Sequence, residues 1–253
     1  MNSELNFCGN DPNAMSRPDK PLAVASFPVI YSAQTLTFLQ SLASNNHRDW
    51  FQSHQQDYER VVREPSLQLI RELEKPLDKL APFFPAVAKK VGGSLMRIHR
   101  DVRFSGDKSP YKTNVGIQFR HAAGKDVHAP GFYLHIEPQN CFIGAGCWRP
   151  AGATLVAIRQ AIVEDSRRWL RVRNDKTMRA DFHFAGESLK TAPRGYAKDH
   201  PRIEDLRRKD FLIVSPLEES TVTSAGLIPA VLAKIKAARP WMRFLCLAAR
   251  VPF

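Results

Sequence analysis

The chain has 253 residues, 43% of them hydrophobic and 25% charged, and a formal net charge of +12. That composition excludes a low-complexity or disordered chain and leaves room for one large core. No stretch approaches the roughly 20 continuous apolar residues of a membrane helix, so no membrane partner is expected. The positive charge favours anionic partners such as nucleic acid or phosphorylated metabolites.

Residues 1–27 lack hydrophobic periodicity and carry Asn, Asp, Pro and Ser, the pattern of a disordered tail. They also lack the basic-then-apolar order of a secretion signal. Residues 28–253 read as a single domain. Ser32 is a suitable N-cap, and Leu36, Leu39 and Leu42 recur at helical spacing. Asn45 and Asn46 end that helix, and Asn46 caps the next, which holds Trp50, Phe51, Tyr58, Val61 and Val62. Pro65 interrupts it, and a further helix runs through Leu67, Ile70, Leu73 and Leu77.

The period then switches to alternation. Residues 95–103, 115–121, 131–137 and 141–147 read as strands, and their short gaps predict an antiparallel meander. Val115, Ile117 and Phe119 share one face of the second strand; Phe132, Leu134 and Ile136 share one face of the third. A helix follows through Leu155, Ile158 and Ile162, with a basic continuation around Trp169. Residues 174–210 are rich in turn formers, with a short helix at Ile203 and Leu206. Residues 211–214 form a short strand, and two closing helices are expected on either side of Pro240. Helices, then strands, then helices predict an α+β fold: an antiparallel four- to five-stranded sheet packed by N- and C-terminal helices.

The cysteines are Cys8, Cys141, Cys147 and Cys246, with no Cys-x-x-Cys pair and no zinc-like spacing to histidine. Cys141 and Cys147 would lie about 20 Å apart along one strand, too far to bridge. A cytoplasmic, reducing location is expected.

The chemistry concentrates in Arg100-Asp101-Val102-Arg103-Phe104-Ser105-Gly106-Asp107-Lys108-Ser109-Pro110-Tyr111-Lys112-Thr113. A connecting loop needs neither four cations nor two carboxylates. If the apolar faces point inward, the opposite face carries Arg97, His99, Asp101 and Arg103, then Gln118 and Arg120, then Tyr133, His135 and Glu137. The ligand-binding candidates for an anionic small molecule are Arg97, Arg100, Arg103, Asp107, Lys108, Ser109, Tyr111, Lys112 and Tyr133. His99 and His135 are the candidate acid–base groups; Asp101 or Glu137 could orient the imidazole, and Asp101 is the candidate chosen. The competing account is a salt-bridged knot beneath a helix. No metal is expected, because the arginines would repel a dication, and no sequence feature names a cofactor. Ser105-Gly106-Asp107-Lys108-Ser109 lacks the P-loop order and reads as a turn. Asn45-Asn46-His47-Arg48-Asp49-Trp50-Phe51 reads as caps and core anchors; residues 194–201 read as a solvated basic loop.

Four segments together resemble a widespread microbial family, domain-of-unknown-function family 2461. They are the Phe-Leu-x-x-Leu-x-x-Asn-Asn-x-Arg-x-Trp-Phe start from Phe38 to Phe51 and the Arg-Asp-x-Arg-Phe-Ser-x-Asp-Lys-Ser-Pro-Tyr-Lys-Thr run from Arg100 to Thr113. A Pro-Gly-Phe-Tyr-Leu strand leads to Gly-x-Gly-x-Trp-x-Pro between Pro130 and Pro150, and Pro-Arg-Gly-Tyr-x-x-Asp-His-Pro spans Pro193 to Pro201. The chain departs from the pattern at Ser53-His54-Gln55, where such proteins tend to carry Asn-Lys. The resemblance covers about residues 30–250 and implies one domain without supplying an activity. The expectation is a cytosolic protein with an Arg/Lys/His-lined pocket for an anionic small molecule, phosphorylated ones among the candidates, with enzyme activity left open. A nucleic-acid-binding module and a purely structural or interaction protein are the alternatives. The oligomeric state is not legible.

Overall fold

The computed structural model describes residues 27–124 and 129–253. The expected tail lies outside the described residues, except for Phe27, which packs against the core. Helix α1, Ala33–Ser44, buries Thr35, Phe38, Leu39 and Leu42, a spacing that puts them on one face. Short helices α2 (Arg48–Ser53) and α3 (Gln55–Tyr58) lead through a π-helical turn, Glu59–Arg63, into α4, Glu64–Leu80.

Pro65 does not break this run. It sits in the first turn of α4, where a missing N–H removes little, and the wide π turn just before it accommodates the ring. Side chains take up the carbonyls freed there. The Thr35 hydroxyl donates to Val61 O at 2.8 Å and the Ser66 hydroxyl to Val62 O at 2.6 Å. The buried Tyr31 hydroxyl donates to Ser66 Oγ at 2.9 Å, tying the N-terminal segment to α4.

The sheet has five strands, all antiparallel neighbours: β1 (Val115–Arg120), β2 (Gly131–Ile136), β3 (Phe142–Cys147), β4 (His183–Ala185) and β5 (Phe211–Pro216), in the order β1-β2-β3-β5-β4. The fold is therefore α+β. One face buries Ile117, Phe119, Phe132, Leu134, Ile136, Ile143 and Ile213. Helices α5 (Gly152–Glu164), α6 (Ser166–Arg173) and α7 (Lys176–Asp181) precede β4, and the short α8 (Ile203–Leu206) and α9 (Glu219–Val222) flank β5.

The chain closes with α10, Leu227–Ala248, a single helix rather than the two expected around Pro240. Ile235, Ala238, Trp241, Met242 and Leu245 are buried, so the apolar stripe stays in phase across the proline. Packing of that stripe offsets the roughly 3 kcal/mol that an interior proline costs. The Trp241 indole N–H also donates to Ala145 O on β3 at 3.2 Å.

Two further expectations fail. Strand β4 hides in the turn-rich stretch 174–210, because three residues are too few to show alternation. Residues 95–103 do not form a strand: they make two isolated bridges, Leu95 to Ile117 on β1 and His99 to Tyr111 in the segment before β1. Four residues separate the bridges on one side and six on the other. The two extra residues, centred on Thr113 and Asn114, break the ladder and push their side chains out of it.

Candidate functional site

The bulge at Thr113 and Asn114 lies beside the polar face of β2. Alternation puts Tyr133 and His135 on the face opposite Leu134, with Glu137 just beyond the strand end. Glu137 Oε2 lies 3.1 Å from His135 Nε2, and Tyr133 OH lies 3.0 Å from His135 Nδ1. A carboxylate only accepts, so the imidazole proton sits on Nε2 and Nδ1 accepts from Tyr133. The Asn114 amide also donates, to Tyr133 OH and to His135 Nδ1, each at 3.3 Å. The Thr113 hydroxyl donates to Glu137 Oε1 at 2.8 Å, and the Asn140 amide donates to Oε2 at 3.1 Å. The His135 ring stacks on Phe142 with centroids 4.6 Å apart.

The His135 side chain is 13% exposed. Burial pushes the Tyr133 phenol up to about 12. Burial would also raise Glu137, but hydrogen bonds from His135, Thr113 and Asn140 outweigh it and hold the carboxyl below its usual range. A proton leaving Tyr133 would move to an imidazole whose cationic form faces an ionised Glu137.

The basic loop stands on the other side of the bulge. Here each carboxylate is taken by an arginine. Arg103 forks onto Asp101 at 2.9 and 2.7 Å, which holds Asp101 down to about 2. Arg100 pairs with Asp107. The Ser109 hydroxyl and amide donate to Asp107 as well, at 2.6 and 2.9 Å, and with Arg100 keep its carboxyl well below the ordinary range. The lysines instead meet backbone carbonyls: Lys108 donates to Val102 O at 3.0 Å, and Lys112 to Arg97 O at 2.5 Å. Burial, then the nearby Arg97 charge, push the Lys112 ammonium down. Arg97 has no hydrogen-bonded partner among the described residues.

Asn46 ties this loop to the helices. Its amide donates to Tyr111 O at 2.9 Å and its carbonyl oxygen accepts from Tyr111 N at 3.1 Å. Asn46 is thus a clamp. His47, not Asn46, caps α2, with Nδ1 accepting from Trp50 N at 3.4 Å. The buried Tyr111 ring stacks on Phe51, centroids 4.1 Å apart. Between the α1–α2 corner and the loop lies a cleft of about 400 Å³, lined by Asn46, Arg100, Asp107, Lys112, Thr113 and Asn114, among others.

Of the sequence-derived candidates, the structure brings Tyr133 and His135 together, and places Arg100, Asp107, Ser109, Tyr111 and Lys112 around the cleft. It does not join His99 to them: that ring leans on Tyr111, centroids 5.3 Å apart. Asp101 serves Arg103 rather than an imidazole, and Glu137 holds His135. Sequence reasoning missed Asn46, Asn114 and Asn140. The signal for Asn114 was two polar residues at the mouth of an apolar strand.

Among the described residues, no group of three or more His, Cys, Asp or Glu converges to hold a metal, and no helix is long and apolar enough to cross a membrane. Cys141, Cys147 and Cys246 are free, buried thiols, and burial raises each of them, Cys246 to about 12.

Fold and site together define an α+β protein with an antiparallel sheet, a bulged edge and a charged loop clamped to an N-terminal helical corner. The chain belongs to the conserved hypothetical protein family DUF2461, whose model matches residues 34–244. No curated protein and no solved structure matches it.

Proposed function

We propose that the protein binds an anionic small molecule at the cleft beside the 97–112 loop, and that Tyr133, His135 and Glu137 move a proton on it. One observation carries the anion reading. Five cations in this segment face two carboxylates, and both carboxylates are consumed by Arg100 and Arg103. Arg97, Lys108 and Lys112 form no ion pair with a carboxylate among the described residues, and Lys112 lines the cleft beside the side-chain donors of Asn46 and Asn114. Uncompensated cations at a concave site favour phosphate or carboxylate.

The support for proton transfer is the chain from Tyr133 through His135 to Glu137, in which each proton has one acceptor. A phenol so placed acts as a base towards a bound group: its own proton passes to His135 Nδ1, Glu137 holds the resulting imidazolium, and the phenolate oxygen takes the proton of the bound group. Titration calorimetry with inorganic phosphate and pyrophosphate tests the anion reading. Lys112→Met should weaken binding about tenfold, a loss of about 1.4 kcal/mol. Absence of binding by the wild type at millimolar ligand would sink the reading.

One feature favours nucleic acid instead. Phe104 is 96% exposed, with the Arg103 guanidinium 5.9 Å from its ring centre. An exposed aromatic beside cations is a stacking platform for an unpaired base. Affinity for single-stranded DNA that falls steeply with salt and is lost in Phe104→Ala would favour this reading.

A further inference from the structure

The sheet face opposite Leu134 and Ile143 carries a groove of about 480 Å³, lined by Met96, Tyr133, Phe142, Gly144, Trp148 and Leu212, among others. Its size falls within the roughly 300–1,000 Å³ of small-molecule sites, and its lining is mostly apolar. The floor is Gly144, paired in unbroken register with Tyr133 on β2 and Val214 on β5.

A glycine inside a strand weakens it, and ordinarily marks a bulge, a left-handed backbone or a close approach. Two of its neighbours fit that rule. Gly146 has φ +136°, and a Cβ there would lie 1.9 Å from Phe211 O. A Cβ on Gly116 would lie 2.9 Å from the Tyr133 hydroxyl, so that glycine seats the phenol. Gly144 fits none of these. Its φ is not positive, its ladder is continuous, and a Cβ would meet only Ile213 O and Tyr133 O, at 3.8 and 3.9 Å. A Cβ there would meet no atom closer than 3.8 Å and would stand on the groove side of the sheet. What Gly144 keeps clear is the floor.

We propose that this groove is a binding site for a flat, uncharged ring system bearing a hydroxyl that donates to the Tyr133 oxygen. The ring would lie over Gly144 between Phe142, Trp148 and Leu212, with its oxygen towards Tyr133. The mostly apolar walls disfavour a charged body, and the Tyr133 hydroxyl, with Gln118 also on the lining, supplies a polar group to fix orientation. This site shares Tyr133 with the proton relay proposed above and uses none of the cations that carry the anion reading.

The test uses the full chain labelled with 5-fluorotryptophan and titrated with 2-naphthol. Trp148 is 46% exposed, and its fluorine signal is assigned with Trp148→Phe. The expected result is a saturable shift of the Trp148 signal, weakened about tenfold or more by Gly144→Leu with the melting temperature unchanged. No saturable shift, or equal binding by a folded Gly144→Leu, overturns the proposal. If Gly144→Leu fails to fold, Leu212→Trp fills the groove from the neighbouring strand and decides by the same criterion. Phosphate titrated into the same samples separates the two sites. Loss of naphthol binding with phosphate binding retained leaves the anion reading standing, and the reverse sinks that reading alone.

Discussion

Glu137 carries two structural duties with one carboxylate: it fixes the tautomer of His135 and closes the bulge through Thr113. Its folded-state ionisation is easier than in the free chain, so it contributes stability fully above its reference value of 4.5 and loses that contribution as pH falls through the lower folded value. Thermal melts from pH 7 to pH 3 should therefore show a steeper acid loss in wild type than in Glu137→Gln, which cannot titrate. Parallel curves would remove Glu137 from the network. Arg103 sits at the other extreme. Its fork with Asp101 is solvent-exposed, where ion pairs contribute little. Arg103→Ala should leave the melting temperature unchanged. A marked drop would mean the loop is a structural knot rather than a charged platform.

At the scale of elements, the decisive contact is between α1–α2 and the loop at Tyr111. Asn46 satisfies both polar groups of that peptide, and Tyr111 is buried. Asn46→Ala would strand an N–H and a C=O together, at a cost of about 2–3 kcal/mol. Urea unfolding measures the loss; a change of a few tenths would mean water replaces the amide. The sequence displayed the residues of this contact without showing that they meet. Periodicity reports burial, so Ile117, Phe119, Leu134 and Ile136 were legible as one inner face. A side-chain clamp between positions 46 and 111 leaves no local periodic trace. The same limit explains residues 95–103, whose alternation is genuine while their partner strand carries two residues too many. It also explains the site: Tyr133 and His135 followed from facing, whereas Asn114 depended on that offset.

Across the molecule, α5 and α6 are joined to α8 by a network centred on the buried Asp205. The Asp205 carboxylate accepts from the Trp169 indole N–H at 2.7 Å and lies 3.0 Å from Arg173 Nε. Arg159, itself buried, donates to Leu206 O at 2.8 Å and Arg208 O at 3.1 Å. Two side chains of α6 thus meet the one acid of α8, and Arg159 of α5 holds the backbone beside it. Asp205→Asn keeps an acceptor for the indole and leaves the guanidinium uncompensated, which should destabilise the whole domain by about 3 kcal/mol in denaturant unfolding. A loss confined to local proteolysis near residue 205, with the global midpoint unchanged, would show that the network is peripheral.

The offset at Thr113 and Asn114 has a consequence for how such a protein could arise and be lost. Removing those two residues would bring the two bridges into a common register, and the edge ribbon could zip into a sixth strand. The shortened chain would have a more regular sheet, a longer exposed edge open to pairing with other chains, no Asn114 amide beside His135 and no Thr113 hydroxyl on Glu137. Regularity and chemistry compete for the same two positions, and in this chain the irregular form is the one that holds the histidine.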